Sequence, residues 1–400
     1  MAAREVAVAL SIMKERGVAL DRQRFDWRDM VRAPISKLDD DAFTRARIIL
    51  MKGMEQEAMR FSHGFARASA EHRRALAEVR RVEQHQATLL GSLLPADLSP
   101  LEASLAIEQT TVEVTASLAD REPDPYIAEV LRFGLIEDFD HLYRFAALLD
   151  RLLGKDANTI LQSYTDIGPG RPAAQQLRAP ADDLREHYDR ARAQPATKLN
   201  ALAILAVEQH AHDHYTNVGP RFADPAARQL YAEIASLEEQ HVTQYASVID
   251  PRETWLEKWL LHEAAEVYTY WSCVETESDR RVQSIWRRML DYELGHLHLV
   301  MDLFARTEKR DPAEILPPAL PDPIDFASHR DSVRQALASE VGVAAIGPEF
   351  VSPSEGSKAT IAYREHLGAR GSPAAVVAAG YCWSPGTELS ADEAPARRAA

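Results

Sequence analysis

Six acidic residues of this 400-residue chain form two sets of three with the same internal spacing. The first set lies 155 positions before the second, and the sets are Glu83, Glu108, Asp138 and Glu238, Glu263, Glu293. In the second set Glu238 and Glu293 each open an ExxH pair, with His241 and His296. Glu and His three positions apart project from the same side of a helix, so both can bind one metal ion. The spacing therefore predicts metal binding by repeated helices.

The segments around these acids also match. EVRRVEQHQ (78–86) aligns with EIASLEEQH (233–241), and LEASLAIEQTTV (101–112) aligns with LEKWLLHEAAEV (256–267). One helix earlier, MEQEA (54–58) aligns with VEQHA (207–211) at a shift of two, which adds Glu55 and Glu208. Self-similarity over several helices predicts an internal duplication of a four-helix unit.

Helical periodicity places the acids on apolar faces. In the last helix of the second half the face is Ile285, Met289, Glu293, His296 and Val300, in steps of three and four. A buried, unpartnered carboxylate costs several kcal/mol. No Lys or Arg occupies these stretches in the second half, so bound cations are the predicted compensation.

The order Glu, ExxH, Glu, ExxH on four successive helices resembles the ferritin-like superfamily of di-iron carboxylate proteins over residues 40–309. The residues that fill it are Glu208, Glu238, His241, Glu263, Glu293 and His296. Glu266, one turn after Glu263, is similar to an extra carboxylate of the rubrerythrin branch. The resemblance implies two iron ions in the second bundle and an oxidoreductase that reacts with peroxide or dioxygen. Carboxylates and imidazoles suit Fe(II) or Mn(II), so iron is the expected metal and manganese stays open.

The first half departs from the pattern at two positions. Gln86 stands where the second half has His241, and Asp138 stands where it has Glu293. The remaining candidates of the first half are Glu55, Glu83, Glu108 and His141. A carboxamide is a poorer ligand than an imidazole, and Asp is one methylene shorter than Glu. We therefore expect one metal ion, two weakly held ions or a polar core network there.

The sequence predicts an all-α fold made of two tandem ferritin-like four-helix bundles. The first bundle is expected at 39–153 and the second at 195–309, joined by a connector at 154–194. Residues 1–38 are expected to form a helix over 4–17 and an irregular arm. Residues 310–400 read as a Pro-rich linker, a short helix near 329–339 and a poorly ordered tail. Period-two apolar runs are missing, so no sheet is expected.

Bulk properties limit the partners. A net charge of −15 argues against nucleic acid and anionic membranes. Cys273 and Cys382 form no CxxC, so a rubredoxin-like iron site is not predicted and electrons need an external donor. No signal peptide or membrane span is apparent, so a cytoplasmic protein is expected, and a homo-oligomer is compatible. Three alternatives stay open: a metal-stabilised interaction protein without turnover, an iron-storage ferroxidase and a substrate oxygenase.

Overall fold

The computed structural model describes residues 10–382, and most of them lie in helices. The helices of this range are α1 (Trp27–Met30), α2 (Ala42–Ala68), α3 (Arg73–Leu93), α4 (Pro100–Ala119), α5 (Pro125–Leu153), α6 (Asn158–Leu161), α7 (Ala173–Gln176), α8 (Pro195–Val218), α9 (Pro225–Ser247), α10 (Trp255–Thr276), α11 (Arg280–Glu308), α12 (Arg330–Glu340), α13 (Lys358–Leu367) and α14 (Pro373–Ala378). The predicted all-α class is confirmed. Between residues 10 and 382, no helix has the length and apolarity that crossing a bilayer requires.

Side-chain caps fix where the long helices begin. Ser99 starts α4 through a reciprocal capping box with Glu102, and Thr254 starts α10 through the same device with Glu257. Asp124, Asp224 and Asp279 accept backbone N–H groups at the starts of α5, α9 and α11, as their sequence predicts. Asp250 also precedes a proline, as Asp124 and Asp224 do, and this pattern predicts a further helix start there, but none is found. The Asp250 carboxylate instead accepts the backbone N–H groups of Arg190 and Arg252, and α10 begins at Trp255.

The eight long helices pair as antiparallel hairpins, α2–α3, α4–α5, α8–α9 and α10–α11. Helix group A consists of α2, α3, α10 and α11, whose buried side chains meet in the contacts Gln86–Glu293 and Tyr270–Glu55. Helix group B consists of α4, α5, α8 and α9, whose buried side chains meet in the contacts His141–Glu238 and Tyr215–Glu108. The two groups meet along α2, α4, α8 and α10, where nearly all of α4 is buried. At Gly53 of α2, a Cβ would lie 2.9 Å from the carbonyl oxygen of Ala206 in α8, so a glycine permits this close approach.

This pairing corrects the predicted division into consecutive bundles at 39–153 and 195–309. Each helix group takes one hairpin from each of these spans. Helical periodicity tells which face of a helix is buried, but it does not tell which hairpin covers that face. Two hairpins of equal length and equivalent apolar faces can satisfy either arrangement, so the spacing could not distinguish them.

Two irregular arms cover the outer helices of the groups. The first arm, residues 10–41, lies on α3 and α11, and the second arm, residues 154–194, lies on α5 and α9. The backbone hydrogen bonds of the two arms correspond in pairs. Val18 N–H donates to Asp291 O (2.7 Å) in the first arm, and Arg171 N–H donates to Ile136 O (3.2 Å) in the second. In the same way, Ile35 N–H donates to Leu93 O (2.9 Å), and Tyr188 N–H donates to Val248 O (3.0 Å). The arm positions differ by 153 and the helix positions by 155, so the internal correspondence extends to the arms.

The C-terminal segment is more ordered than the sequence suggests. The short helix predicted near 329–339 is confirmed as α12, which packs on α5. The strands β1 (Ala344–Ile346) and β2 (Glu349–Val351) pair antiparallel, which corrects the expectation of no sheet. Gly347, at φ +53°, permits the tight turn between them. Helix α14 packs on α5 and α9, so the prediction of a poorly ordered tail is wrong for the part that ends at residue 382. The rest of the tail, 383–400, lies outside the described residues.

The N-terminal prediction is corrected in part. Residues 10–17 form a turn instead of the end of a helix over 4–17, and residues 4–9 lie outside the described residues. Ile12 is fully buried and belongs to the large hydrophobic cluster formed by the long helices. The backbone N–H groups of Lys14 and Glu15 bond to the carbonyl oxygen of Ser11, which closes the turn. Gly17 follows at φ +58°, where a left-handed residue ends any helix.

Candidate metal centres

Six polar side chains converge in the middle of helix group B, and we call them cluster B. They are Glu108 of α4, Asp138 and His141 of α5, Glu208 of α8, and Glu238 and His241 of α9, and none exceeds 1% exposure. Ligand atoms of Asp138, His141, Glu238 and His241 all lie within 4.8 Å of one another. Four helices thus bring four carboxylates and two imidazoles to one enclosed point.

The inner ring nitrogens of cluster B face carboxylate oxygens. His141 Nδ1 lies 2.9 Å from Glu238 Oε1 and 3.8 Å from Glu108 Oε1. His241 Nδ1 lies 3.0 Å from Asp138 Oδ1, 3.4 Å from Glu208 Oε2 and 3.5 Å from Glu238 Oε2. The His241 contacts lack hydrogen-bond geometry, and both oxygens of Asp138 and of Glu208 have no hydrogen-bond partner among the described residues. Such converging buried atoms match a cation site.

The outer ring nitrogens of both histidines are held by neighbours. His141 Nε2 lies 2.7 Å from Gln176 Oε1, and the Gln176 amide nitrogen donates to the backbone oxygen of Arg171. That donation fixes the carboxamide oxygen towards the ring, so His141 Nε2 carries the proton. His241 Nε2 lies 2.9 Å from Glu137 Oε2. With the proton held outside, each inner nitrogen has a lone pair available to a metal ion, as in metal-binding histidines generally.

Glu137 is itself fixed by two buried arginines. Arg171 Nη1 and Arg178 Nη1 donate to Glu137 Oε1 over 2.8 and 2.7 Å. Burial acts to raise the pKa of Glu137, but the charges of Arg178 and Arg171 lower that pKa well below its ordinary value. The carboxylate therefore stays ionised and accepts a hydrogen bond from the Nε2–H group of His241.

Cluster A is the corresponding set in helix group A. Its members are Glu55 of α2, Glu83 and Gln86 of α3, Glu263 and Glu266 of α10, and Glu293 and His296 of α11. Ligand atoms come within 4.8 Å of one another in two subsets, which share Glu263: Glu263, Glu293, His296 and Glu83, Glu263, Glu266. Cluster A thus has five carboxylates, one imidazole and one carboxamide.

Hydrogen bonds satisfy part of cluster A. The Gln86 amide nitrogen donates to Glu293 Oε1 (2.6 Å) and to Glu55 Oε1 (3.0 Å), and the Tyr270 hydroxyl donates to the same oxygen of Glu55. His296 Nδ1 lies 2.9 Å from Glu293 Oε2, and its Nε2 lies 2.8 Å from Gln23 Oε1. Gln23 belongs to the first arm and holds the outer nitrogen of His296 as Gln176 of the second arm holds that of His141.

The carboxyl groups of both clusters carry little compensating charge. Among the described residues, no Lys or Arg makes an ion pair with any carboxylate of either cluster, and only the histidines do. Burial, reinforced by a neighbouring carboxylate, raises the pKa well above the ordinary value in Glu55, Glu83, Glu108, Glu208, Glu263 and Glu266. Without a cation these groups retain protons, and binding a divalent ion would release them.

In His241 and Glu238 of cluster B, neighbouring charged groups outweigh burial in setting the pKa. Burial acts to lower the pKa of His241, but the charges of Asp138 and Glu208 raise it well above its ordinary value. Burial also acts to raise the pKa of Glu238, but the hydrogen bond to His141 and the charges of His141 and His241 bring that pKa below its usual range. Protons therefore gather on the imidazoles between the carboxylates, where a metal ion would replace them.

The predicted site residues are all buried, but they are grouped differently. The predicted cage of the second half is divided, because Glu208, Glu238 and His241 lie in cluster B while Glu263, Glu266, Glu293 and His296 lie in cluster A. The first half is divided too, since Glu55 and Glu83 lie in cluster A while Glu108, Asp138 and His141 lie in cluster B. Gln86 therefore gives cluster A a carboxamide where a histidine was expected, and Asp138 gives cluster B a shorter carboxylate in place of a Glu.

Sequence reasoning missed the residues that hold the histidines from outside, Gln23, Gln176 and Glu137. One signal existed, since Gln23 and Gln176 are 153 positions apart, the offset that also relates Glu55 to Glu208. Glu137 has no such signal, because Tyr292 occupies the corresponding position. The histidine tract after Glu208 stays outside cluster B: His210 contacts Gln56, and His212 contacts Asp213 and Glu239.

Comparison with known proteins gives no relative for this chain: no protein-family model, no curated protein and no solved structure matches it. The geometry of the two clusters is therefore the basis for any functional conclusion.

Proposed function

We propose that the chain is an internally duplicated ferritin-like protein in which each helix group is a four-helix bundle around a metal centre. Cluster B would bind two ions of iron or manganese, and cluster A, which has one histidine fewer, would bind metal more weakly. The observation that carries the proposal is the pair of histidines in cluster B. Each turns its inner ring nitrogen toward buried carboxylates while a neighbour holds the proton of its outer nitrogen.

The donor set supports iron or manganese. Glu108, Glu208, Glu238 and Asp138 offer hard oxygens, and His141 and His241 offer one nitrogen each. Hard oxygen donors with imidazole suit these two metals better than they suit soft ions. The four carboxylates supply four negative charges, which balance two divalent ions when both imidazoles are neutral.

The reaction class we propose is oxidation or reduction with dioxygen or peroxide as the oxidant. Two adjacent iron ions, when bound, supply two electrons together, which matches two-electron reduction of either oxidant. The surrounding residues exclude bulk water, since every ligand of cluster B is at most 1% exposed. Glu137 and Gln176 keep the histidine orientation fixed during any change of metal charge. An external electron donor completes the proposed cycle.

Anaerobic loading with Fe(II) followed by peroxide or dioxygen tests this reaction. We expect near-ultraviolet absorption of oxidised iron and oxidant consumption that is lost in the double variant His141→Ala/His241→Ala. The control is His212→Ala, because His212 is partly exposed and contacts no cluster residue. Iron that stays reduced in the parent, or oxidation equal in parent and double variant, would contradict the proposal.

A structural role for the metal is the second candidate, and one observation favours it for cluster B. The second arm and the C-terminal segment both cover the outer helices α5 and α9 of helix group B. Ions there would then close the bundle without turnover. Tightly held zinc, with no response of bound iron to either oxidant, would select this candidate.

A further inference from the structure

A large cavity lies on the outer side of helix group A, between α3, α11 and the first arm. Its volume is about 1240 Å³, and we call it the arm cavity. Gln23 and Gly295 line its floor. Gln23 touches His296 of cluster A, and Gly295 precedes that histidine. On α3, the lining residues Val82 and His85 flank Glu83 and Gln86 in sequence. A single layer of side chains therefore separates the cavity from cluster A.

Five arginines line the arm cavity, against three acidic residues, Asp21, Glu78 and Asp302. The arginines are Arg16, Arg22, Arg24, Arg74 and Arg81. Arg74 pairs with Glu78, whereas Arg22 and Arg81 make no ion pair with a described residue. The lining is thus positive in a chain whose net charge is −15.

Helix group B has the same face but not the same charge. At the positions equivalent to the five arginines it carries Pro169, Gln175, Leu177, Gln229 and Ser236. None of these residues is charged. The five arginines of the arm cavity therefore have no basic counterparts in helix group B.

The equivalent face of helix group B is covered by the chain itself. Glu233, the counterpart of Glu78, accepts from Ser372 Oγ (2.8 Å) and the Ala374 N–H (2.6 Å). Tyr143, the counterpart of His298, donates to the Tyr381 carbonyl oxygen (2.9 Å). The Arg364 guanidinium donates to the Leu177 carbonyl oxygen (2.7 Å). One face thus receives the C-terminal segment, while the other keeps a basic cavity.

We propose that the arm cavity binds a small organic anion through its carboxylate or phosphate group. Arg22 and Arg81 are the main anchors, because their guanidinium groups lack partners among the described residues and suit planar, bidentate contact with such anions. The use of this anion as a substrate of cluster A rests on the proposed function, but its binding does not.

Calorimetric titration of the metal-free full-length protein with succinate and with phenyl phosphate tests the proposal. The parent should bind at least one of the two saturably, and more weakly as salt is raised. The double variant Arg22→Ser/Arg81→Ser should weaken binding about tenfold or more, since it removes two charge-assisted contacts. Both positions are exposed, so folding should be kept, and thermal unfolding checks this. The matched control is Arg228→Ser, an exposed arginine of helix group B outside the arm cavity.

The two probes separate the two anion classes, since binding of only one identifies the headgroup. Three results would each overturn the proposal: no saturable binding of either anion, equal affinity in the parent and the double variant, or an equal loss in Arg228→Ser. The titration uses metal-free protein, so its result does not depend on whether the clusters bind metal. A failure to bind either anion would likewise leave the proposed metal binding untouched.

Discussion

At the residue scale, single substitutions make the two clusters unequal. Cluster B keeps both histidines but has Asp138 in place of a Glu, and cluster A has Gln86 in place of a His. The Gln86 amide nitrogen donates to Glu55 and Glu293, so it satisfies two carboxylate oxygens that a metal ion would otherwise bind. The carboxamide thus acts as a neutral substitute for part of a metal site.

The first prediction concerns Gln86→His. An imidazole at this position restores the ExxH pattern on α3, so metal affinity of cluster A should rise about tenfold or more. Competition with a metal chelator measures the change. The matched control is Gln84→His on the same helix, because Gln84 is exposed and bonds to Thr88. An equal gain in both variants would show that cluster A is not the site that responds.

The second prediction compares two buried tyrosines. The Tyr245 hydroxyl is buried against Gly134 with no hydrogen-bond partner among the described residues, whereas the Tyr270 hydroxyl donates to Glu55. In metal-free protein, Tyr245→Phe should stabilise by about 1 kcal/mol because an unsatisfied hydroxyl is removed. Tyr270→Phe should destabilise by about 1–2 kcal/mol because Glu55 loses a donor. Urea unfolding measures both, and equal destabilisation would contradict the assignment of Tyr245.

At the element scale, the two arms position the histidines. Gly17 and Gly170 let each arm lie directly on a long helix: a Cβ at Gly17 would be 2.2 Å from Asp291 O, and one at Gly170 would be 2.1 Å from Ile136 O. This approach brings Gln23 to His296 and Gln176 to His141. Segments without long helices thus determine which ring nitrogen of His296 and of His141 is available.

The third prediction follows from these contacts. Gln176→Leu should weaken metal binding at cluster B about 10- to 100-fold, since an outer partner of a metal-binding histidine is lost. Gln23→Leu should have the same effect on cluster A alone, so each variant is the control for the other. Metal titration by competition gives both affinities. A loss at both clusters in either variant would indicate general unfolding instead of local positioning.

The sequence predicted the elements well and their assembly poorly. The helical class, the capping residues Ser99, Asp124, Asp224 and Asp279 and the buried acids all follow from local chemistry and periodicity. The exchange of hairpins between the two halves did not follow, because equivalent apolar faces do not specify their partner. Glu137 could not be predicted either, since its role depends on Arg171 and Arg178 of a distant arm.

At the scale of the whole molecule, the exchange of hairpins joins the two halves of the chain. Each cluster takes residues from both halves, so neither half is expected to form a complete cluster alone. The two helix groups also differ from each other. Helix group B has two cluster histidines, His141 and His241, and is covered by the C-terminal segment, whereas helix group A has the basic arm cavity. We infer that the two centres have different roles within one chain.

The metal content of three single variants and two double variants, each produced in cells grown with iron, tests this exchange most directly. The account predicts that His141→Ala and Glu238→Ala lose the same ions, so the double variant loses no more than either single variant. His296→Ala combined with Glu238→Ala should lose the ions of both clusters. The consecutive arrangement predicts the reverse, because there Glu238 and His296 share one centre. If Glu238→Ala and His296→Ala lose the same ions, while His141→Ala removes a different set, the exchanged arrangement of the hairpins is wrong.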